Sequence, residues 1–418
     1  MRITPTQNTV SDTVTGVAAI KNIAVATLVA TLLGACTTSI TDAVGLNQSA
    51  STATAANNGE QEDSLDNRID AAMSAVTLQS ETDIGLMARF HFATHTKDFD
   101  KARAFYRMLG YTDGIGGFPL TNTHQMARAL GMFDQCQYEL AKGEVISLPG
   151  SLNAANIDLL QFKTPFNDEP PYELPNHLGM AYAALLTTNL GHDVAFLKTQ
   201  GVDFLSEPYG VPGNRYVFFR DPEGVLYKLM ETAPPHGDPE KDMHIVAMPY
   251  IGINVTNLEA SLEFYEKFGY TQQVMLQQTD GSKAEAEAWG LDAPFKIKGA
   301  DIALGRGDQH VLRLVQWVTP FDPDPAYPPP INHIGINRIA LMVPDVERAV
   351  GILKAQGVPF LSELAPCCSG TGEDETAIVH AIDPDGVFLE FVGSISKRAP
   401  LPQPEHCPPL EIKMPPSS

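Results

Sequence analysis

Five cysteines and eleven histidines are the side chains best suited to chemistry in this chain of 418 residues. Cys36 closes the tetrad Leu33-Gly34-Ala35-Cys36 behind an apolar run from Ile23 to Leu33. That run is too short to cross a bilayer comfortably and suits a signal-peptide core, with Arg2 and Lys21 as positive charge ahead of it. The tetrad looks like a bacterial lipobox, so Cys36 is the expected lipidation site, anchoring a periplasm-facing protein to the cell envelope. Such a compartment permits disulfides. Cys407 with Cys367 or Cys368 would pin the Pro-rich tail, although spacing does not fix connectivity and adjacent cysteines seldom bond to each other. A Cys-Cys metal pair is disfavoured, because no second ligand pair stands at suitable spacing. Among the histidines, His177 and His333 recur in Asn-His-(Leu/Ile)-Gly and read as turn residues. His95 and His192 are expected on the surface or on a helix. His124, His236, His244 and His380 have no partner at recognisable spacing. The chain carries no phosphate-cradling glycine loop, serine elbow or His-Glu-x-x-His. With 28 basic against 50 acidic residues, the formal charge is −22. A nucleic-acid partner is therefore excluded, since phosphates need clustered Lys and Arg. Membrane contact rests on the lipid anchor alone.

The elements that must position these side chains come in a long repeat. DFDKARAFYRMLGY at 98–111 matches NLEASLEFYEKFGY at 257–270, and IDLLQFKTPF at 157–166 matches LRLVQWVTPF at 312–321. NHLGMAYAALL at 176–186 matches NHIGINRIALM at 332–342, GVDFLSEP at 201–208 matches GVPFLSEL at 357–364, and DPEGVLYKLME at 221–231 matches DPDGVFLEFVG at 383–393. Two homologous domains follow, over 85–233 and 245–394. A signal segment (1–36) and a flexible tether (37–84) precede them, a linker (234–244) joins them and a Pro-rich tail (395–418) ends the chain. The tether is too poor in large apolar groups to offset its ordering entropy. Within it, Leu65, Ile69, Met73 and Val76 predict a helix over Ser64–Val76.

Each repeat contains a weaker echo of itself. Phe99, Ala102, Phe105, Tyr106 and Leu109 share one helix face, and Ile251, Ile253 and Val255 one strand face. The coarse pattern is β-α-β-β-β, four times.

The strand, the Phe-Tyr helix ending in Gly-Tyr, and the late Asp-Pro-(Asp/Glu)-Gly before a last strand resemble the vicinal oxygen chelate superfamily. That superfamily includes glyoxalase I, extradiol dioxygenases and bleomycin-resistance proteins. The resemblance covers both repeats. It implies an α+β fold in which four βαβββ modules form two tandem glyoxalase-like domains with cupped mixed sheets. It also implies a divalent metal held by residues on the first and last strand of each module. Counted onto this sequence, those positions are His91, Asp158, Tyr182, Lys228, Tyr250, Arg313, Arg338 and Glu390. Only His91, Asp158 and Glu390 are metal-ligand types, since Arg and protonated Lys repel a cation.

Two pairings of the modules are open. Pairing within each repeat is the first expectation. It puts His91, Asp158, Tyr182 and Lys228 in one cup, and Tyr250, Arg313, Arg338 and Glu390 in the other. These cups would bind anionic or phenolic molecules, with Tyr182, Lys228, Tyr250, Arg313 and Arg338 as substrate-binding residues. Crosswise pairing unites His91, Asp158, Glu390 and Arg338. A metal of unknown identity on the first three would then polarise a substrate, with Glu390 and Arg338 as catalytic residues. The expected function is a glyoxalase- or dioxygenase-like enzyme acting on a small oxygenated molecule. The alternative is a non-catalytic small-molecule binder of the bleomycin-resistance type.

Overall fold

The computed structural model describes residues 78 and 80–415, apart from 116–117, 150–154, 233–240, 305–310, 323, 368–373 and 400. The signal segment, Cys36, the Ser64–Val76 helix, Cys368 and most of the linker lie outside the described residues.

Four helices of similar length open on a short polar side chain that satisfies a free backbone N–H. Asp98 caps Phe99–Met108, Asn189 caps Leu190–Thr199, Asn257 caps Leu258–Glu266 and Asp345 caps Val346–Ala355. Four residues after each cap a side chain points onto a sheet and is buried: Ala102, Asp193, Ser261 and Ala349. The expected helix face is present, with Phe99, Ala102, Phe105 and Tyr106 buried. Two shorter helices, His124–Ala129 and Lys283–Ala288, interrupt the simple module pattern. Thr123 and Ser282 cap them. Ser282 accepts from the Glu285 backbone N–H, half of a capping box.

The strands form two mixed sheets. The first runs β15 (Ala365–Cys367), β16 (Asp374–Ile382), β17 (Phe388–Arg398), β14 (Arg338–Asp345), β1 (Ala88–His95), β5 (Asn156–Thr164), β4 (Tyr138–Ser147), β2 (Asp113–Ile115), with β3 (Thr121–Asn122) beside β4. The second runs β11 (Thr271–Asp280), β12 (Lys296–Ala303), β13 (Val311–Thr319), β10 (Tyr250–Asn254), β6 (Gly179–Thr187), β8 (Leu226–Glu231), β7 (Tyr216–Arg220), with β9 (Ile245–Ala247) beside β6. At each centre, one strand from each repeat pairs antiparallel: β1 with β14 and β10 with β6.

The modules thus pair crosswise, first with fourth and second with third, which corrects the expectation of pairing within each repeat. The physical reason lies in the central ladders. The first strands of modules one and four are apolar on the face beneath the helices, and each already has a parallel partner inside its own module on one edge. The open edges of β1 and β14 satisfy each other. Within a repeat, the modules meet on the helix side instead. Tyr106 donates its hydroxyl to Asp221 (2.8 Å), and Tyr265 donates to Asp383 (3.1 Å). Both acceptors are the Asp of an Asp-Pro-(Asp/Glu)-Gly turn, and burial pushes them up to about 6 and about 7.

The apolar residues alternate between the two faces of each strand. Ile157, Leu159, Ile339, Leu341, Leu389 and Phe391 join the helices in one large core with their second-sheet counterparts. Opposite-face residues form two smaller clusters inside the cups.

The disulfide also departs from expectation. Cys407 bonds Cys136, with Cα atoms 5.5 Å apart, rather than Cys367 or Cys368. Cys407 lies on a tail that crosses the first module, where Leu120 N–H donates to the Lys413 carbonyl at 2.7 Å. That crossing carries the thiol to Cys136.

Removing a hydroxyl from the helix-side contacts leaves a buried carboxyl with one partner fewer. Tyr106→Phe and Tyr265→Phe are each expected to lower unfolding stability by about 1–3 kcal/mol in urea titrations. The two losses should add in the double variant, because the sites share no partners.

Candidate functional site

The eight counted residues all lie on concave faces, four to a cup. In the first cup, strand register sets Ala93 between Arg338 and Asp158, and pairs His380 with Glu390. Arg338 consequently sits between two carboxylates. Its Nη2 donates to Asp158 Oδ2 at 2.7 Å and its Nε to Glu390 Oε2 at 2.5 Å. Nη1 reaches Asn337 Oδ1 at 3.3 Å, and His380 Nε2 lies 3.2 Å from Glu390 Oε2. All of these side chains are buried.

Burial treats the two acids differently. For Glu390 burial alone would raise the pKa, yet Arg338 and the His380 hydrogen bond hold it well below the usual carboxylate range. For Asp158 burial wins; the charge on Glu390 adds to it, and the proton is retained up to about 7 despite Arg338. The negative charge of the trio therefore settles on Glu390. Burial pulls His91 down to about 4, so its imidazole is neutral near pH 7. Three polar atoms of this group are buried with no hydrogen-bond partner, Asp158 Oδ1, His91 Nδ1 and His380 Nδ1, and the first two belong to side chains that line a cavity.

These groups form the floor of a cavity of about 80 Å³. Its walls are largely apolar and include Phe90, Phe118, Met126, Tyr138, Ile378 and Val392. The space is smaller than the ~150 Å³ void that admits benzene. Helix His124–Ala129 closes one side through Met126 and the following Leu130. It is held there by Gln125, which donates to the Leu364 carbonyl and accepts from Leu401 N–H on the tail.

The second cup is filled by its own side chains. Tyr182, Phe218, Tyr250, Trp289, Phe295 and Trp317 pack together there. Tyr182 lies against Gly252, where an added Cβ would fall 2.6 Å from its ring. Arg313 makes a two-point contact with Asp301 (2.7 and 2.8 Å) and donates to the Tyr250 hydroxyl at 2.9 Å. Lys228 Nζ faces the rings of Tyr216, Trp289 and Phe218 at 3.9, 4.9 and 5.5 Å. Burial, aided by Arg313, pulls it down to about 7, while the ring faces favour its charged form. Of the residues expected to bind an anionic or phenolic molecule (Tyr182, Lys228, Tyr250, Arg313 and Arg338), Arg313 and Arg338 are paired with acids, and aromatic rings fill the second cup around Tyr182, Lys228 and Tyr250.

A divalent ion on His91, Asp158 and Glu390 does not fit this arrangement. The guanidinium of Arg338 occupies the space between the carboxylates, and the three donors do not form a ligand group within 4.8 Å among the described residues. Two other trios do come that close, Cys136–His406–Cys407 and His192–Asp193–His244. In the first, both sulfurs are spent in the disulfide.

Sequence reasoning missed His380, Asp301 and Trp289. His380 was legible in principle, since alternation along β16 puts Thr376, Ile378 and His380 on one face. His95, expected on the surface or on a helix, is instead buried in β1 beside the carbonyls of Leu160 and Asn167. His177 and His333 are likewise buried and pack on Tyr172 and Tyr327.

Truncating Arg338 would leave two buried acids uncompensated. Arg338→Met is expected to cost about 3–5 kcal/mol, read by thermal or urea unfolding. Asp158 binds its proton more tightly in the folded than in the unfolded chain, so its contribution to stability falls as pH rises from about 4 through about 7. Asp158→Asn, which mimics the protonated acid, should therefore gain stability relative to the parent between pH 5 and pH 8.

Residues 247–391 match the family model described as Glyoxalase/Bleomycin resistance protein/Dioxygenase superfamily. Among solved structures, glyoxalase I from Zea mays is 15% identical, covering 73% of this chain and 92% of its own, with a TM-score of 0.46. A Mn(II)-bound glyoxalase from Novosphingobium aromaticivorans is 14% identical, covering 75% and 84%, with a TM-score of 0.24. A mutant 4-hydroxymandelate synthase from Streptomyces coelicolor is 12% identical, covering 74% and 93%, with a TM-score of 0.25. No curated protein matches.

Proposed function

We propose that the first cup is the working site, and that it takes a small molecule with an apolar body and a carbonyl or hydroxyl head on which it moves a proton. One observation carries the reading: Asp158 Oδ1 and His91 Nδ1 are buried, unpartnered and on side chains that line the cavity. Buried polar atoms without partners are rare in folded proteins, and a ligand's head is the partner they lack. Their opposite shifts assign the roles. Asp158, with a pKa of about 7, donates a proton to a carbonyl oxygen. His91, neutral, accepts one from the neighbouring carbon or hydroxyl. Arg338 uses three of its five N–H groups on Glu390, Asp158 and Asn337, leaving one on each Nη to steady the oxygen as charge develops. Glu390 keeps Arg338 charged and in place. This is lyase- or isomerase-type chemistry on a glyoxalase-like scaffold, with no step routed through a metal. The apolar walls favour a second reading, a binder that performs no chemistry.

Small α-hydroxyketones separate the two. Incorporation of solvent deuterium at the carbon next to the carbonyl, followed by NMR, is the signature of proton transfer. Asp158→Asn should lower that rate by ~10²–10⁴-fold while leaving ligand affinity close to the parent's. The rate should also fall above pH 7, as Asp158 loses its proton. Calorimetric binding without deuterium uptake selects the binder, and neither signal defeats both readings.

Placement at the envelope belongs to the same proposal. The Cys136–Cys407 disulfide supports an oxidising compartment. In a bacterial host the full chain should fractionate with membranes and Cys36→Ser should not. Retention of the variant at the membrane would count against the anchor.

A further inference from the structure

Outside both cups, two histidines and an aspartate converge where the chain enters the second repeat. Asp193 lies in the first turn of helix Leu190–Thr199, and its side chain is fully buried. His192 precedes it and is 39% exposed, while His244, just before β9, is 2% exposed. Asp193 Oδ2 accepts from the Thr187 hydroxyl (2.5 Å) and from the His244 backbone N–H (3.1 Å). Its other oxygen, Oδ1, faces the Nδ1 atoms of both imidazoles, at 2.6 Å for His244 and 3.5 Å for His192. His192 Nδ1 is buried and has no hydrogen-bond partner.

The fold does not require this arrangement. Four residues after the helix cap, the other three modules carry Ala102, Ser261 and Ala349, all buried. In the fourth module, the repeat alignment sets Val343 where the second has Thr187, and Val343 is fully buried as well. A valine and an alanine fill the place where the second module sinks a hydroxyl and a carboxylate. Packing at this point of the module therefore does not need the polar pair.

We propose that His192, Asp193 and His244 bind a first-row divalent transition metal of the zinc type. Imidazole with carboxylate is a donor set such ions favour. Ligand bonds of ~2.0–2.2 Å place neighbouring donors roughly 3–3.5 Å apart. The His192 spacing meets this already, and the shorter His244 contact opens once the ion displaces the proton held there. Thr187 and the His244 amide orient the carboxylate, as outer partners of metal ligands do. The exposed edge of His192 leaves room for solvent as a further ligand. The ion would clasp the segment entering the second repeat onto the second module.

The full chain, stripped with EDTA and titrated with Co²⁺, should take up one ion at this site with visible absorption, and Zn²⁺ should displace it. His192→Ala, at an exposed position, should weaken uptake by more than about tenfold. The double variant Thr187→Val/Asp193→Ala carries the fourth module's own residues, so it should fold and lose uptake. His91→Ala and Cys136→Ser should leave uptake unchanged, which separates this trio from the cup and from the tail. No saturable uptake by the parent, or full uptake by either His192→Ala or the folded double variant, overturns the proposal.

Discussion

A guanidinium held between two carboxylates governs the first cup. Arg338, Asp158 and Glu390 come from three strands, and both repeats contribute. Buried charges are tolerated only when paired and hydrogen-bonded. The pairing fixes which acid keeps its proton, and so where the floor of the cavity can donate and where it can accept. It also takes the space that a divalent ion would need between those acids. The positive centre of this cup is a side chain, Arg338.

The two cups show how one scaffold yields different interiors. The short helices that cap them end on Leu130 in the first and Trp289 in the second, at matching points of the repeat. The smaller residue leaves a cavity. The indole, with Tyr182 seated over Gly252, closes one. The charges are exchanged as well: Asp158 corresponds to Arg313, and Lys228 to Glu390. The second cup has become a packed core in which Arg313–Asp301 and the caged Lys228 are satisfied internally.

Much of the fold was legible because local signals agreed. The helix face of Phe99 to Leu109 and strand alternation fix the module, and repeat matching fixes its number. The family resemblance supplied the eight counted positions, and alternation put the last-strand four, Asp158, Lys228, Arg313 and Glu390, on the cup face. Pairing was not legible, because the open edges of β1, β6, β10 and β14 are chemically alike as sequence. Which edge meets which is decided by the packed whole. The same ignorance hid Arg338's partners, the Cys136–Cys407 bond and the His192–Asp193–His244 group, each of which joins residues distant in the chain. His192 and His244 had no neighbour in spacing, only in space.

Crosswise pairing has a consequence for how the molecule is made. The second sheet is a continuous stretch from Gly179 to Thr319, nested within the two separated halves of the first. A growing chain can complete the inner sheet while β1 still lacks β14. Until β14 arrives in the last fifth of the polypeptide, β1 offers an unpaired edge of the kind that invites aggregation. The first-cup cavity can exist only once that edge is covered, and the Cys136–Cys407 bond, joining the first module to residues near the carboxyl terminus, must form later still. Translation order thus makes the first cup the last part of the protein to be finished, and a chain cut short in synthesis would carry the inner sheet but not that cup.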